Sequence, residues 1–199
     1  MTAGAGGPVA GVDVDVDVDR RRYCWRCGAA LEATPPTTCA ACGQAHYLNP
    51  APCGEAVVVR AGRVLLLRRA MDPYRGFWDV PGGFCDAAEH PMHAAERELA
   101  EELGLRARAA AYIGAWIDVY GPPAPDGLRV HCITSAYLME LEDAEAEPRP
   151  SADEATGYGW FDLTALPDDL AFPDHARPML AAAAAVLAGT APPLPDRTW

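Results

Sequence analysis

A predicted helix with a regular set of acidic side chains constrains this chain more than any other feature. Residues 91–103 are good helix formers, with a proline at the start and Gly104 at the C-cap position, so this stretch is predicted to be a helix. At about 100° per residue, three of its carboxylates fall within one sector of about 100°. They belong to Glu98, Glu101 and Glu102, here called the acidic ridge. Like charges at this spacing repel one another, and a divalent cation would reverse the sign of that interaction.

An apolar stripe lies beside the acidic ridge on the predicted helix. It consists of Met92, Ala95, Leu99 and Leu103. The helix can therefore pack on a sheet through this stripe while the ridge faces a cleft. Hard cations such as Mg²⁺ prefer carboxylate oxygens and often share their coordination shell with substrate phosphates. The alternative interpretation is an acidic helix face that contacts only solvent.

The spacing of the whole stretch matches a known signature. It reads Gly83, five residues, Glu89, seven residues, and then Arg-Glu-Leu-Ala-Glu-Glu-Leu-Gly-Leu over residues 97–105. This resembles the Nudix hydrolase signature G-x5-E-x7-R-E-U-x-E-E-x-G-U, where U is a bulky aliphatic residue, and every fixed position is met. Residues 76–83 are similar to the usual lead-in, so the resemblance covers about residues 54–190. It implies an α/β/α sandwich and an enzyme that uses a divalent metal to hydrolyse a nucleoside diphosphate linked to another group.

The resemblance also implies roles for individual residues. Glu98 and Glu102 are expected to bind catalytic Mg²⁺ or Mn²⁺, with Glu101 as a third ligand and the backbone carbonyl of Gly82 as a further one. Two other signature residues are expected to form a buried structural ion pair instead, which holds the preceding loop against the helix: Glu89 and Arg97. Because breaking a buried pair leaves an uncompensated charge, losing either partner could abolish activity without touching the metal.

A carboxylate farther along the chain is expected to complete the catalytic site. Glu154 precedes Trp160 by six residues, a placement similar to the loop glutamate that binds metal or acts as a base in Nudix relatives. Asp153 is the neighbour with which it could be confused, and a solvated glutamate is the alternative. The sequence leaves the general base open among three residues, Glu101, Glu102 and Glu154.

Two matching cysteine pairs precede this region. Cys24-x-x-Cys27-Gly28 and Cys39-x-x-Cys42-Gly43 are separated by eleven residues, in a segment with almost no aliphatic side chains. Four thiolates in this arrangement form a closed tetrahedral Zn²⁺ site, which is structural because no coordination position is left for a substrate. Zinc binding would replace the hydrophobic core that this segment lacks. The alternative is a pair of redox motifs, and His46 is expected to be an ordinary surface residue.

A zinc ribbon before a Nudix signature resembles the NADH pyrophosphatase group, and residues 47–50 are similar to its connecting segment. That group carries an S-Q-P-W-P-F-P motif after the signature, whereas this chain has Ala-Trp-Ile-Asp-Val-Tyr-Gly-Pro-Pro over 115–123. We therefore favour ADP-ribose or a similar nucleotide sugar over NADH, NAD or a nucleoside triphosphate as substrate. Three aromatic residues are candidates for stacking on a base, with a core position as the alternative: Trp78, Trp116 and Tyr120.

The composition along the chain predicts four segments. They are a disordered arm at 1–22, the zinc ribbon at 23–52, an α/β Nudix domain at 53–190 and a loose tail at 191–199. Within the domain, the hydrophobic pattern predicts a hairpin of strands 56–59 and 64–67, further strands at 111–120, 130–141 and 158–161, and a second helix at 174–188. Residues 77–80 lead into a loop predicted at 81–83.

The charge balance limits the partners. Sixteen basic and 28 acidic residues give a formal net charge of −12, which disfavours binding to a nucleic-acid backbone. The apolar run near the C-terminus, 179–188, is half the length of about 20 residues that a membrane span needs. We expect a cytoplasmic enzyme with a small nucleotide substrate and no membrane partner, and a homodimer is compatible with the sequence. A module that only senses nucleotides is the alternative from another class.

Overall fold

The computed structural model describes residues 22–121 and 130–190. The chain divides between Asn49 and Pro50 into two compact units. The sequence predictions for the N-terminal arm, for most of the turn at 121–127 and for the tail at 191–199 lie outside the described residues. No helix in the described ranges is long and apolar enough to cross a membrane.

The first unit is built around the two cysteine pairs. Two short antiparallel strands flank the second cysteine pair in the chain, β1 (Thr37–Thr38) before it and β2 (Ala45–His46) after it. In each pair the glycine after the second cysteine has a φ of 72° and donates its N–H to the carbonyl of the first cysteine, at 2.8 Å for Gly28 and 2.9 Å for Gly43. A left-handed backbone at this position favours glycine, which explains the residue that follows each pair.

The second unit contains one mixed sheet and two helices within its described part. Its elements in chain order are β3 (Ala51–Arg60), β4 (Arg63–Arg69), β5 (Trp78–Asp79), β6 (Gly82–Phe84), α1 (Pro91–Leu103), β7 (Ala107–Tyr120), β8 (Val130–Leu141), β9 (Ala155–Asp162) and α2 (Pro173–Leu187). The strand order is β5-β4-β3-β8-β7, with β6 also paired to β3 and β9 also paired to β4. Strands β3 and β8 run parallel, and the other named pairs are antiparallel.

Alternating side chains of β3 and β4 divide the core into two layers. Val57, Val64 and Leu66 pack with the buried face of α2, and Val58, Leu65 and Leu67 pack with the buried face of α1. Each strand thus buries both faces, as expected when helices cover a sheet on both sides. The predicted α/β/α sandwich is therefore confirmed.

Several predicted bounds differ from the structure. Residues 82–84 form β6 and pair with β3, although 81–83 were expected to be a loop. Glycine has a low strand propensity, so local sequence gives no sign of this pairing. Strand β7 begins at Ala107, four residues before the predicted start. The sequence does not predict this start because the first residues of β7 are mostly alanines, which have a low strand propensity. Helix α1 has the predicted bounds, and α2 lies one residue before its predicted position.

Gly54 lets α1 approach β3 closely. A Cβ atom at Gly54 would lie 2.0 Å from the carbonyl oxygen of Pro91 and 2.8 Å from the backbone nitrogen of Ala95. We predict that Gly54→Ala lowers the free energy of unfolding by about 1–3 kcal/mol or more, because the helix must shift. Urea unfolding measures the loss. Gly157→Ala is the matched control, since a Cβ there meets nothing within 4 Å. Equal stability of the two variants would contradict the proposed close packing.

Candidate active site

Helix α1 is fixed at both ends by capping interactions. At its start, His90 Nδ1 accepts a hydrogen bond from the backbone N–H of Met92 at 3.1 Å, and Pro91 occupies the first turn. At its end, Gly104 adopts a left-handed φ of 66° and donates its N–H to the carbonyl of Ala100. Both features are common helix signals. They set the register that turns the apolar stripe inward and the glutamates away from it.

Arg97 joins the loop before α1 to the helix. Its Nε and Nη2 atoms donate to the two carboxylate oxygens of Glu89 at 3.0 and 2.9 Å. These hydrogen bonds lower the pKa of Glu89 to about 2. Arg97 Nη2 also donates to the carbonyl of Phe84 at 3.0 Å, and Glu89 accepts the N–H of Asp86 at 2.8 Å. The pair therefore anchors β6 and the following loop on the helix.

The same guanidinium group also contacts two members of the acidic ridge. Arg97 Nη1 lies 2.8 Å from Glu98 Oε1 and 2.9 Å from Glu101 Oε2. The side chain of Glu101 is 54% exposed, whereas that of Glu98 is 15% exposed. The helical geometry places the three glutamates on one side of α1, but Glu101 points toward Arg97 and solvent.

Glu98 and Glu102 lie against the glycines of β6. Glu102 Oε2 accepts the N–H of Gly82 at 3.0 Å, and a Cβ at Gly83 would lie 2.5 Å from Glu98 Oε1. Burial raises the pKa of Glu98, and burial together with the charge of Glu98 raises the pKa of Glu102 well above its usual value. Two half-buried carboxylates thus influence each other beside glycines whose backbone can approach them because it carries no side chains.

The loop before β9 brings Glu154 within electrostatic range of Glu98 and Glu102. Arg149 and Ser151 donate their N–H groups to the carbonyls of Leu103 and Glu102 at 2.7 and 2.8 Å, which satisfies open acceptors at the end of α1. Oε2 of Glu154 is buried and has no hydrogen-bond partner within the described residues, whereas Asp153 is exposed. The charge of Glu154 contributes to the raised pKa of both Glu98 and Glu102.

These residues fit a hard divalent cation by charge and ligand type. Three carboxylates repel one another beside the Gly82 backbone, and oxygen ligands of this kind suit Mg²⁺ or Mn²⁺. Their ligand atoms are more spread out than the four cysteine sulfurs, which form the only group of three or more potential side-chain ligands that converges within 4.8 Å in the described ranges.

A cleft opens beside Gly82 and Gly83. Three aromatic side chains line it: Phe84, Tyr120 and Phe172. The Tyr120 ring stacks on Phe172 with centroids 5.9 Å apart, and it meets Phe84 edge-on at 5.1 Å. Of the three predicted stacking residues, only Tyr120 lines this cleft. Trp78 and Trp116 pack against the hydrophobic core on the α2 side.

The cleft also contains charged residues that the sequence analysis missed. His175 Nε2 lies 2.9 Å from Glu55 Oε1, and His175 Nδ1 lies 2.6 Å from Asp118 Oδ2. Nearby, Arg69 Nη1 lies 2.6 Å from Asp79 Oδ2. Burial, followed by the charge of Glu55, raises the pKa of Asp79 to about 7. The sequence signal for this cluster is Glu55, a charged residue next to the apolar run of β3. No local pattern indicates that His175 is its partner, because the two residues are 120 positions apart.

The four cysteines of the first unit converge as predicted from their spacing. Their sulfur atoms lie within 4.8 Å of one another, with Cys24–Cys42 and Cys27–Cys39 separations of 3.6 and 3.8 Å. Tetrahedral Zn–S bonds of about 2.3 Å place sulfurs about 3.8 Å apart, so the geometry fits zinc. The expectation of a surface His46 is wrong. His46 is only 4% exposed and packs edge-on against Trp25, because its strand turns the ring inward.

Comparison with known proteins places the chain in a family. The NUDIX domain model matches residues 54–183. The chain belongs to the NUDIX family. It is 33% identical over 129 residues to the ADP-ribose pyrophosphatase of Methanocaldococcus jannaschii, covering 65% of this chain and 70% of that one. It is 30% identical over 151 residues to the NAD-capped RNA hydrolase NudC of Chromobacterium violaceum, covering 73% of this chain but only 52% of that one.

Solved structures agree with this assignment. The MutT NUDIX hydrolase of Burkholderia pseudomallei matches with a TM-score of 0.57 and 32% identity, covering 67% of this chain and 98% of that one. The family and the names of these relatives support an enzyme that acts on pyrophosphate bonds. The predicted Nudix hydrolase is therefore confirmed, and both the ADP-ribose and the NAD interpretations fit the relatives.

The buried His175 gives the stability of this Nudix domain a pH dependence. Burial alone would lower its pKa, but the carboxylates of Glu55 and Asp118 raise it from 6.5 to about 10. Its stabilising charge is fully present below about pH 6.5, where the unfolded chain is also protonated, and is lost as the pH rises toward about 10. We predict that the free energy of unfolding falls by a few kcal/mol between these values, as measured by urea unfolding. His175→Gln should flatten the profile, and an unchanged slope in that variant would contradict the assignment.

Proposed function

We propose that the chain hydrolyses the pyrophosphate bond of a nucleoside diphosphate linked to another group, with ADP-ribose or a similar nucleotide sugar as the favoured substrate. The observation that carries the proposal is that Glu102 accepts the N–H of Gly82 while the charges of Glu98 and Glu154 are near enough to raise its pKa. We infer that these carboxylates, with the Gly82 carbonyl, hold Mg²⁺ or Mn²⁺. The bound cation would neutralise the phosphate oxygens and acidify a water molecule.

We propose that the carboxylates of the site have different roles. Glu98 and Glu102 are held by α1 against β6, so they are the fixed groups of the site. Glu154 has a buried oxygen with no partner among the described side chains, and we propose that this oxygen accepts the proton of the attacking water. Arg97 contacts both Glu98 and Glu101, but the side chain of Glu101 is 54% exposed and that of Glu98 is 15% exposed. We therefore propose that Glu101 contributes less to the cation site than Glu98 and Glu102.

The substrate proposal draws on the cleft and on the relatives. The cleft beside Gly82 and Gly83 is lined by aromatic and charged side chains, which suits a ligand with a planar polar ring. The archaeal relative is named for ADP-ribose, and the chain spans about half the length of the NAD-capped RNA hydrolase that it matches. NAD, NADH and nucleoside triphosphates are the alternatives. Cytoplasmic location and a homodimer stay predictions.

The catalytic proposal is tested by a matched pair of substitutions on α1. Glu102→Gln should lower kcat for ADP-ribose with Mg²⁺ or Mn²⁺ by about 10²–10⁴-fold, because it removes a charge from the buried site. Glu101→Gln removes an equal charge from the exposed neighbour and should have a much smaller effect. The release of AMP measures both. Equal cleavage by wild type and Glu102→Gln would contradict the proposal and favour a module that only binds nucleotides.

We propose that the four cysteines hold one structural zinc ion. The four sulfurs leave no open coordination position, and the first unit has few apolar residues that could fold it otherwise. Elemental analysis of protein purified without chelators should give about one zinc per chain. The double variant Cys39→Ser/Cys42→Ser should lose it, whereas Cys85→Ser should keep it. A wild-type protein that is folded in this region without metal would contradict the proposal.

A further inference from the structure

The cleft beside Gly82 contains a buried triad that the proposed hydrolysis does not use. The triad consists of Glu55 on β3, Asp118 on β7 and His175 on α2, and all three residues line the cleft. Glu55 and His175 are 9% and 4% exposed. Three separate elements therefore bring charged side chains together in a place where burial of charge is costly.

The hydrogen bonds within the triad leave one acceptor free. Both ring nitrogens of His175 face carboxylates, at 2.9 Å from Glu55 Oε1 and 2.6 Å from Asp118 Oδ2. Asp118 Oδ1 accepts the N–H of Val119 at 2.6 Å. Glu55 Oε2 is buried and has no partner within the described residues. Buried polar atoms in folded proteins are nearly always hydrogen-bonded. We therefore expect a ligand to supply the donor for this oxygen.

The charges around the cleft disfavour a phosphate at this position. Arg69 Nη1 lies 2.6 Å from Asp79 Oδ2, so the guanidinium group of the cleft already has a carboxyl partner outside the triad. A protonated His175 between two carboxylates leaves one net negative charge, which repels anions. With a divalent cation bound to Glu98 and Glu102, as proposed above, the diphosphate belongs beside these residues, and the uncharged part of a substrate belongs in the cleft.

Two further features favour a flat ring as that part. Phe84, Tyr120 and Phe172 form an aromatic wall of the same cleft, and the side chain of Phe84 is 39% exposed. Aromatic walls bind planar rings by stacking or edge contacts. A Cβ at Gly82 would lie 2.8 Å from Glu55 Cγ, while the N–H of Gly82 contacts Glu102. One residue thus separates the free acceptor from the proposed phosphate site.

We propose that Glu55 is a specificity-determining residue that accepts a hydrogen bond from the amino group of a nucleobase such as adenine or cytosine. Asp118 and His175 are positioning residues, since they hold the Glu55 carboxylate in place. The inference rests on the proposed function for its placement of the diphosphate. It adds the chemical class of the group that enters the cleft.

Nucleoside binding tests this inference separately from catalysis, because a nucleoside carries no phosphate and needs no catalytic cation. Isothermal titration of the zinc-loaded protein, without chelator and without added Mg²⁺ or Mn²⁺, would compare adenosine and cytidine with the analogues in which hydrogen replaces the amino group. Wild type should bind the amino form about tenfold or more tightly in at least one pair, because the analogue leaves the Glu55 oxygen unpaired. The absence of a preference in both pairs would overturn the inference.

The variant Glu55→Gln identifies the acceptor. Glutamine can still accept from His175 through its oxygen, but it places an amide donor where Oε2 lies, so the preference for the amino form should disappear. Glu142→Gln removes an exposed carboxylate and should keep the preference. If Glu55→Gln weakens the binding of the amino form and of its analogue by the same factor, the carboxylate binds ribose hydroxyls instead of the base, and the inference is overturned. Retention of the amino preference in a folded Glu55→Gln protein overturns it too.

Hydrolysis assays keep the two proposals apart. Cleavage of ADP-ribose without any amino preference in binding would overturn the role of Glu55 and leave the pyrophosphatase intact. An amino preference without cleavage of any tested diphosphate would support the role of Glu55 in base recognition and overturn the proposed hydrolysis.

Discussion

The repulsion among half-buried carboxylates beside Gly82 and Gly83 is the constraint on which the site depends. Burial and neighbouring negative charge both oppose ionisation of Glu98 and Glu102. The fold supports this arrangement with glycines that admit the side chains, with Arg97 on one side and with a loop whose backbone is bonded to the end of α1. Such an arrangement is unfavourable unless a cation binds, which connects the packing of the fold to its chemistry.

The same glycine pair separates two environments with different chemistry. On the α1 side lie carboxylates suited to a cation and phosphate oxygens. On the cleft side lie aromatic rings and a triad with one free acceptor, suited to the neutral ring of a nucleotide. A nucleoside diphosphate has both parts, one charged and one planar, and the strand β6 lies where they join. This division explains why two glycines begin the short strand β6.

Local sequence signals predicted the parts of the fold that depend on local interactions. Helix α1 was bounded correctly because Pro91 and Gly104 act within one turn of its ends. Strand β6 was missed because its pairing partner, not its own glycines, makes it a strand. Glu55 and His175 are 120 residues apart in the chain, so no local pattern could predict their contact. The burial of His46 likewise depends on the aromatic ring of Trp25.

Direct binding of Mn²⁺ tests the central claim that the buried carboxylates form a cation site. Electron paramagnetic resonance of zinc-loaded protein would count bound Mn²⁺ in wild type and in the Glu98→Gln/Glu102→Gln variant. The account predicts saturable binding in wild type, at least about tenfold weaker binding in the double variant, since two of its charged ligands are gone, and near-normal binding in Glu101→Gln. Equal Mn²⁺ binding by wild type and a folded double variant would contradict it.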